Sequence, residues 1–273
     1  MGATLTTEAV TLPGGLILED GARIGAVTLR PLTGQEEAWL ADRFGLPSAL
    51  VVTHLLAACL AIDGRSVPTG LAGRLLVGDR DYLMLRLRRL TLGDVVAAVL
   101  TCPSCSARMD LTIDLAEAPV EGPPQMQEWQ RLELPDRKQA VGFRLPTGAD
   151  QEAVAHLDER EAVAALLRRC LRDESEALSV EEAARLIEAM EQAAPRVEIE
   201  LDLTCPECGH AFLAPFDVTA FFLAEMRISG ERLLREVHQL AFHYGWSEAE
   251  ILGLERVRRR AYLSLLDDEL RRE

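Results

Sequence analysis

The chain is nearly devoid of lysine. Lys138 is the single one, and the rest of its 29 basic residues are arginines. We read that bias as the base composition of a GC-rich bacterial genome, not as chemistry. Basic charge of any kind is short: 29 basic residues face 44 acidic ones, a net charge of −15. A chain this acidic repels polyphosphate, which argues against sequence-independent binding of DNA or RNA. Long apolar runs are also missing. The longest, Ala49 to Ile62, covers 14 residues and contains Thr53 and His54. A bilayer span needs about 20 apolar residues, so this stretch is expected to be a buried helix. The opening "MGATLTTEAVTLPGG" has no basic cluster before an apolar run, so no secretory signal is expected. A cytoplasmic protein without a membrane partner is the expectation. Phosphate-cradling GxxxxGK[ST], GxGxxG after a strand, HExxH and GxSxG are absent. Five histidines are present. His54 reads as a core histidine and His156 belongs to no motif. His238 and His243 are five apart, the wrong spacing for one helix face. No nucleophile or acid–base pair stands out, so no enzyme is expected.

What the chain does have is a sizeable core and a cysteine pattern. Hydrophobic residues make up 48% of 273 residues, enough for one large domain or two small ones. Four of six cysteines form two Cys-Pro-x-Cys pairs, Cys102/Cys105 and Cys205/Cys208. In a reducing compartment such pairs favour zinc over disulfides. A knuckle of this type turns backbone amides toward its two sulfurs, and two knuckles complete a tetrahedral thiolate site. Protein would fill all four positions, leaving none for a catalytic water, so the zinc would be structural. The rival is a thiol-redox CxxC, which belongs on a strand-to-helix turn of a βαβ unit; both pairs here sit between strands. Gly209 after the second knuckle suits the positive φ often needed there, whereas the first has Ser106. His210 reads as a strand residue flanking the knuckle rather than a fifth ligand. Cys59 and Cys170 lie in apolar helical stretches and read as small core residues.

The hundred-residue gap between knuckles is explained if the chain is written twice. "AVTLRPLTG" (26–34) and "AVGFRLPTG" (140–148) share five of nine positions. Cys59-Leu60 and Cys170-Leu171 follow, then "LTCPSC" and "LTCPEC", each with an aspartate before Leu115 and Val218. The order is strand, Thr-Gly turn, helices, strand, knuckle, strand in both halves. The expected fold is α+β: a duplicated unit of helices and short antiparallel strands, a shared four-cysteine zinc ribbon, and a helical C-terminal extension. The expected division is a first repeat at 1–117, a linker at 118–137, a second repeat at 138–218 and a helical region at 219–273.

Local signals place the elements. Thr33/Glu36, Ser179/Glu182 and Ser247/Glu250 are capping boxes. Helices are expected from Gly34 to about Phe44, from Pro47 to about Ile62, and over "RDYLMLRLRRLTLG" with Asp79 as cap and Gly93 as stop. Two more cover 158–173 and 179–193. Strands are expected over Val95–Thr101, Met109–Leu115 and Arg196–Leu203. Pro119, Pro123, Pro124 and Pro135 mark the linker. Residues 150–200 hold 14 acidic residues against 6 arginines, read as solvated helix faces, with a docking surface for a basic partner as the sharper reading. Arg256, Arg258, Arg259 and Arg260 suggest an exposed arginine face for an acidic protein partner.

Several of these stretches resemble a known family. "LRPLTGQEE" (29–37), "GDRDYLMLRLRRLTLGD" (78–94), and "LTCPSC" followed by a strand to "IDL" are similar to the phage-T4-type baseplate protein family. Its bacterial members are often labelled baseplate hub assembly chaperones. The tail from Phe221 to Leu266 resembles the same proteins in contractile tail and injection-system clusters. The resemblance implies a non-enzymatic assembly factor or component of a baseplate hub. Its partners would be baseplate or hub proteins, and it would be cytoplasmic or incorporated in a phage-like particle. The alternatives are a zinc-ribbon nucleic-acid-binding module and a CxxC thiol oxidoreductase.

Overall fold

A computed structural model describes residues 5–272, apart from 19, 44, 123–126, 136, 138, 174–177, 198 and 228–229. It is a mixture of helices and short antiparallel strands. The first half opens with β1 (Glu8–Ile17) and β2 (Arg23–Leu29), then α1 (Gly34–Ala41), α2 (Ser48–Cys59), β3 (Leu60–Ile62), β4 (Arg65–Ser66), α3 (Thr69–Ala72) and α4 (Val77–Leu92). β1 to β4 form one sheet in chain order. The knuckle hairpin β5 (Val95–Thr101) and β6 (Arg108–Asp114) follows. The proline-rich segment holds two short strands, β7 (Val120–Glu121) and β8 (Gln130–Leu132); Pro123, Pro124 and Lys138 lie outside the described residues. The second half has β9 (Val141–Phe143), α5 (Gly148–Val154), α6 (Glu159–Cys170), α7 (Val180–Ala193), β10 (Arg196–Val197) and the second hairpin β11 (Glu200–Thr204) and β12 (Ala211–Pro215). It closes with α8 (Val218–Arg227), α9 (Gly230–Tyr244), α10 (Glu248–Leu252) and α11 (Arg256–Leu270).

Three expectations about the elements need correction, as does a fourth about the arginine face. The apolar helix stops at Cys59, and Leu60–Ile62 is a strand paired with β2. Asp63 (φ 49°) and Gly64 (φ 75°) turn it back into β4. An Asp-Gly turn between apolar residues is a strong hairpin signal, and it outweighs the helical pattern here. The expected strand over 196–203 is two strands, with Glu198 outside the described residues. Asp79 does not cap α4. Leu76 holds the cap position, while Asp79 is fully buried in the first turn and accepts the Gly14 amide at 2.7 Å.

The two Thr-Gly segments make matching bonds. Arg30 donates its amide to the Cys59 carbonyl at 3.0 Å, and Arg144 donates to Cys170 at 2.9 Å. Each guanidinium reaches one more carbonyl of that helix end, Ala58 or Arg169. Each also forks onto the carboxylate closing its capping box, Glu36 or Asp150. Burial works against ionisation of both carboxylates, yet the arginine and threonine bonds prevail; Asp150 is held down to about 2. The Gly34 amide is bonded by the Leu254 carbonyl (3.2 Å), and the Gly148 amide by Leu75 (3.0 Å). So the start of α11 docks on the first segment and the start of α4 on the second. A Cβ at Gly148 would overlap the guanidinium of Arg80, and one at Gly34 would meet that of Arg259 at 3.0 Å.

The main core lies between the first sheet, α1, α2 and α4, with Leu29, Leu55, Leu56 and Leu83 fully buried. Phe222, Leu223 and Met226 of α8 complete it. The second core gathers Phe143, Leu145, Leu167, Cys170 and Leu186. Contrary to the expected arginine face, Arg256 and Arg259 are buried. Arg259 bonds Glu37 at 2.7 Å and Glu236 at 3.0 Å, tying α1, α9 and α11 together. Only Arg258 and Arg260 of that run are exposed.

Candidate metal centre

The centre is built from two hairpins. Alternate residues of the two hairpins gather in one layer: Val96, Ala98 and Ile113 of β5–β6, and Leu201 of β11 with Ile199 and Phe216, which flank β11 and β12. That shared apolar layer lies between the hairpins and leads toward their tips. There Met109, Leu203 and Phe212 pack around Cys102 and Cys205.

The two tips have the same backbone. Cys102 donates its amide to the Ala107 carbonyl, and Cys205 donates to His210, both at 2.9 Å. Ser106 donates back to Cys102 and Gly209 to Cys205, again at 2.9 Å. Ser106 has φ 61° and Gly209 φ 72°. The serine therefore takes the left-handed conformation that glycine takes in the other knuckle, at the steric cost of its Cβ.

The turns bring all four cysteines together. Their sulfurs lie within 4.8 Å of one another. Two separations cross between hairpins: Cys102 to Cys208 is 3.8 Å and Cys105 to Cys205 is 3.6 Å. These are far beyond a disulfide bond of about 2.05 Å. Cys102 and Cys205 are buried, while Cys105 and Cys208 are exposed. The amides of Cys105 and Ser104 point at the Cys102 sulfur and hold that thiol down to about 7. The Ala107 amide also favours the Cys105 thiolate, but the neighbouring sulfurs, Cys208 first, push that thiol up to about 12. Two amides aimed at one sulfur and four sulfurs in one cage make a donor set that could hold a metal ion.

The other candidates lie elsewhere. Cys59 and Cys170 are buried, and burial pushes their thiols up to about 12 and about 11. His210 gives the knuckle its carbonyl, while its exposed ring stacks on Phe212 at 5.9 Å. His54 is half-buried and stacks flat on Trp39 at 3.7 Å, with burial lowering its basicity. His238 and His243 are exposed on α9 on either side of Phe242. A cavity of about 450 Å³ beside β11–β12 is lined by Asp81, Asp217 and Thr219, and no cysteine or histidine is among its described lining residues.

A family model described as "T4 bacteriophage base plate protein" matches residues 18–173, more than half of the chain. The chain belongs to the T4 baseplate protein family. Within this baseplate-family chain the match takes in both Thr-Gly segments and the Cys102/Cys105 knuckle, and ends before Cys205 and Cys208. No curated protein and no solved structure matches it. Among the described residues no helix is long and apolar enough to cross a membrane.

The buried Glu37–Arg259–Glu236 set was not foreseen from the sequence. Its one visible signal is Gly34, which leaves room for Arg259 where a side chain would collide with the Leu252 backbone at 2.9 Å.

Proposed function

We propose that this chain is a zinc-stabilised, non-enzymatic assembly factor or component of the baseplate hub of a phage-like contractile tail or injection system. The family match over residues 18–173 carries that reading. It works in the cytoplasm or becomes part of the particle, and its partners are baseplate or hub proteins. The test pairs a deletion strain with probing of cell lysate and purified particles. Protein found only in lysate identifies a chaperone, and protein in particles identifies a subunit. Particles that form normally without the chain refute the proposal.

The metal is zinc, held by Cys102, Cys105, Cys205 and Cys208. Zinc–thiolate bonds of about 2.3 Å at tetrahedral angles put sulfurs about 3.8 Å apart. The cross-hairpin separations of 3.6 and 3.8 Å support that fit. Four thiolates leave no position open, so the bound zinc supplies a cross-link and no Lewis-acid chemistry. The chain's own residues fix the cage: the Cys105 and Ser104 amides at Cys102, and the two left-handed residues Ser106 and Gly209 that close the knuckles.

The division behind this cage is a duplicated unit, with repeats at 1–117 and 138–218, a linker at 118–137 and a helical region at 219–273. The matching arginine forks, capping boxes and knuckle turns of the two halves support it. Each repeat contributes one knuckle, so neither could complete the site alone.

A further inference from the structure

We infer that this chain associates with further copies of itself head to tail, α9 of one copy lying on α7 of the next. The argument starts from two helices whose outer faces are unlike the usual solvated surface. α9 has 15 residues and α7 has 14, so both are about 21 Å long. Each buries one stripe: Leu233, Glu236 and Leu240 in α9, Leu186 and Met190 in α7.

The opposite stripe of α9 carries large apolar side chains, and α7 begins with one. On α9, Leu234 is 67% exposed and Phe242 is 77% exposed. With His238 they form an i, i+4, i+8 row. On α7, Val180 is 83% exposed and shares its face with exposed Ala184. An exposed phenylalanine in line with an exposed leucine marks a contact surface more than a solvated one.

Charge then selects the occupant. The outer face of α9 carries Arg232 and Arg235 against one carboxylate, Glu231, which pairs with Arg235 at 3.4 Å. A face with more arginine than carboxylate stands out in a chain of net charge −15. The outer face of α7 is its complement: Glu181, Glu188 and Glu191 against Arg185. Two faces of similar length and opposite sign, each with exposed apolar residues beside its charges, occur on one chain. A second copy therefore presents the surface that α9 fits. Because the two faces differ, the contact is heterologous, and each copy keeps one face open for the next. The inference does not rest on the baseplate reading or on the metal.

The test uses the full chain with its metal, in sedimentation velocity over about 1–100 µM at about 50 mM and about 500 mM salt. The wild type should gain mass with concentration at low salt and lose it at high salt. Two variants reverse one face each: Arg232→Glu with Arg235→Glu, and Glu188→Arg with Glu191→Arg. All four positions are exposed, so melting should stay near wild type. Each variant alone sets like charges face to face and should need at least about tenfold more protein to associate. An equimolar mixture restores opposite charges at every contact and should associate within about threefold of wild type. Phe242→Gln, which leaves the charges alone, should also weaken association about tenfold. A wild type that stays monomeric throughout overturns the inference. So does a variant that associates alone as well as the wild type, or a mixture that fails to associate.

Discussion

Replacing Asp79 by asparagine isolates the cost of one buried carboxyl. Asp79 sits in the first turn of α4, fully buried, beneath the β1 bulge. One oxygen takes the Gly14 amide at 2.7 Å, and the other has no hydrogen-bond partner among the described residues. The nearby Arg23 spends a donor on the Gly14 carbonyl at 2.6 Å instead. Leu76 and Pro195 close the site, since a Cβ at Gly14 would meet both within 2.8 Å. Burial therefore pushes this carboxyl from 3.8 up to about 6, against the pull of Gly14 and Arg23. A raised carboxyl favours folding most when protonated. Its contribution is complete below the unfolded value near 4 and disappears as pH rises through about 6. Between about pH 7.5 and about pH 4.5, wild type should gain about 2 kcal/mol relative to Asp79→Asn. Urea unfolding of both proteins at both pH values measures it. Every other titrating group cancels in the difference, and so does the fixed cost of burying an amide with one unpaired donor. A difference that stays constant between the two pH values refutes the reasoning.

Cys102→Ser should lose the metal, measured by elemental analysis, and lower the melting temperature, because a structural zinc contributes directly to folding. Ser106→Gly removes a Cβ from a left-handed residue and should raise stability by about 1 kcal/mol in thermal melts with metal content unchanged. Asp150→Asn should cost about 2 kcal/mol at neutral pH by urea unfolding. That gap should close as pH falls from about 4 through about 2, since Arg144 and Thr147 depress the native carboxyl. Arg259→Met leaves Glu37 and Glu236 buried with their main partner gone and should cost about 3–5 kcal/mol; adding Glu37→Gln and Glu236→Gln should recover most of it.

The candidate site was legible because its signal is local. Cys-Pro-x-Cys between two alternating strands specifies a knuckle, and two knuckles specify a cage. The capping boxes at Thr33, Ser179 and Ser247 were legible for the same reason, and each is present. Ser106 shows the limit, since only the paired geometry of Gly209 reveals that a serine fills a glycine's conformation. The end of α2 was misread because Leu60–Ile62 is as apolar as the helix before it; Asp63-Gly64 held the answer. Arg256 and Arg259 looked like surface charge because burial depends on Glu37 and Glu236, and Glu37 is more than two hundred positions away. Asp79 fits the cap pattern in sequence, but β1 reaches it first.

The Glu37–Arg259 bond also sets a timetable for synthesis. The two residues are 222 positions apart, so a ribosome exposes the carboxylate long before its partner exists. The same holds for the Gly34 amide, which waits for Leu254. The first half therefore leaves the ribosome with a position reserved for a residue not yet made. A product truncated before α11 leaves Glu37 and Glu236 without Arg259. α11 thus answers a charge set down more than two hundred residues earlier, and chains that lack it should be the readier substrates for a protease that samples partly opened protein.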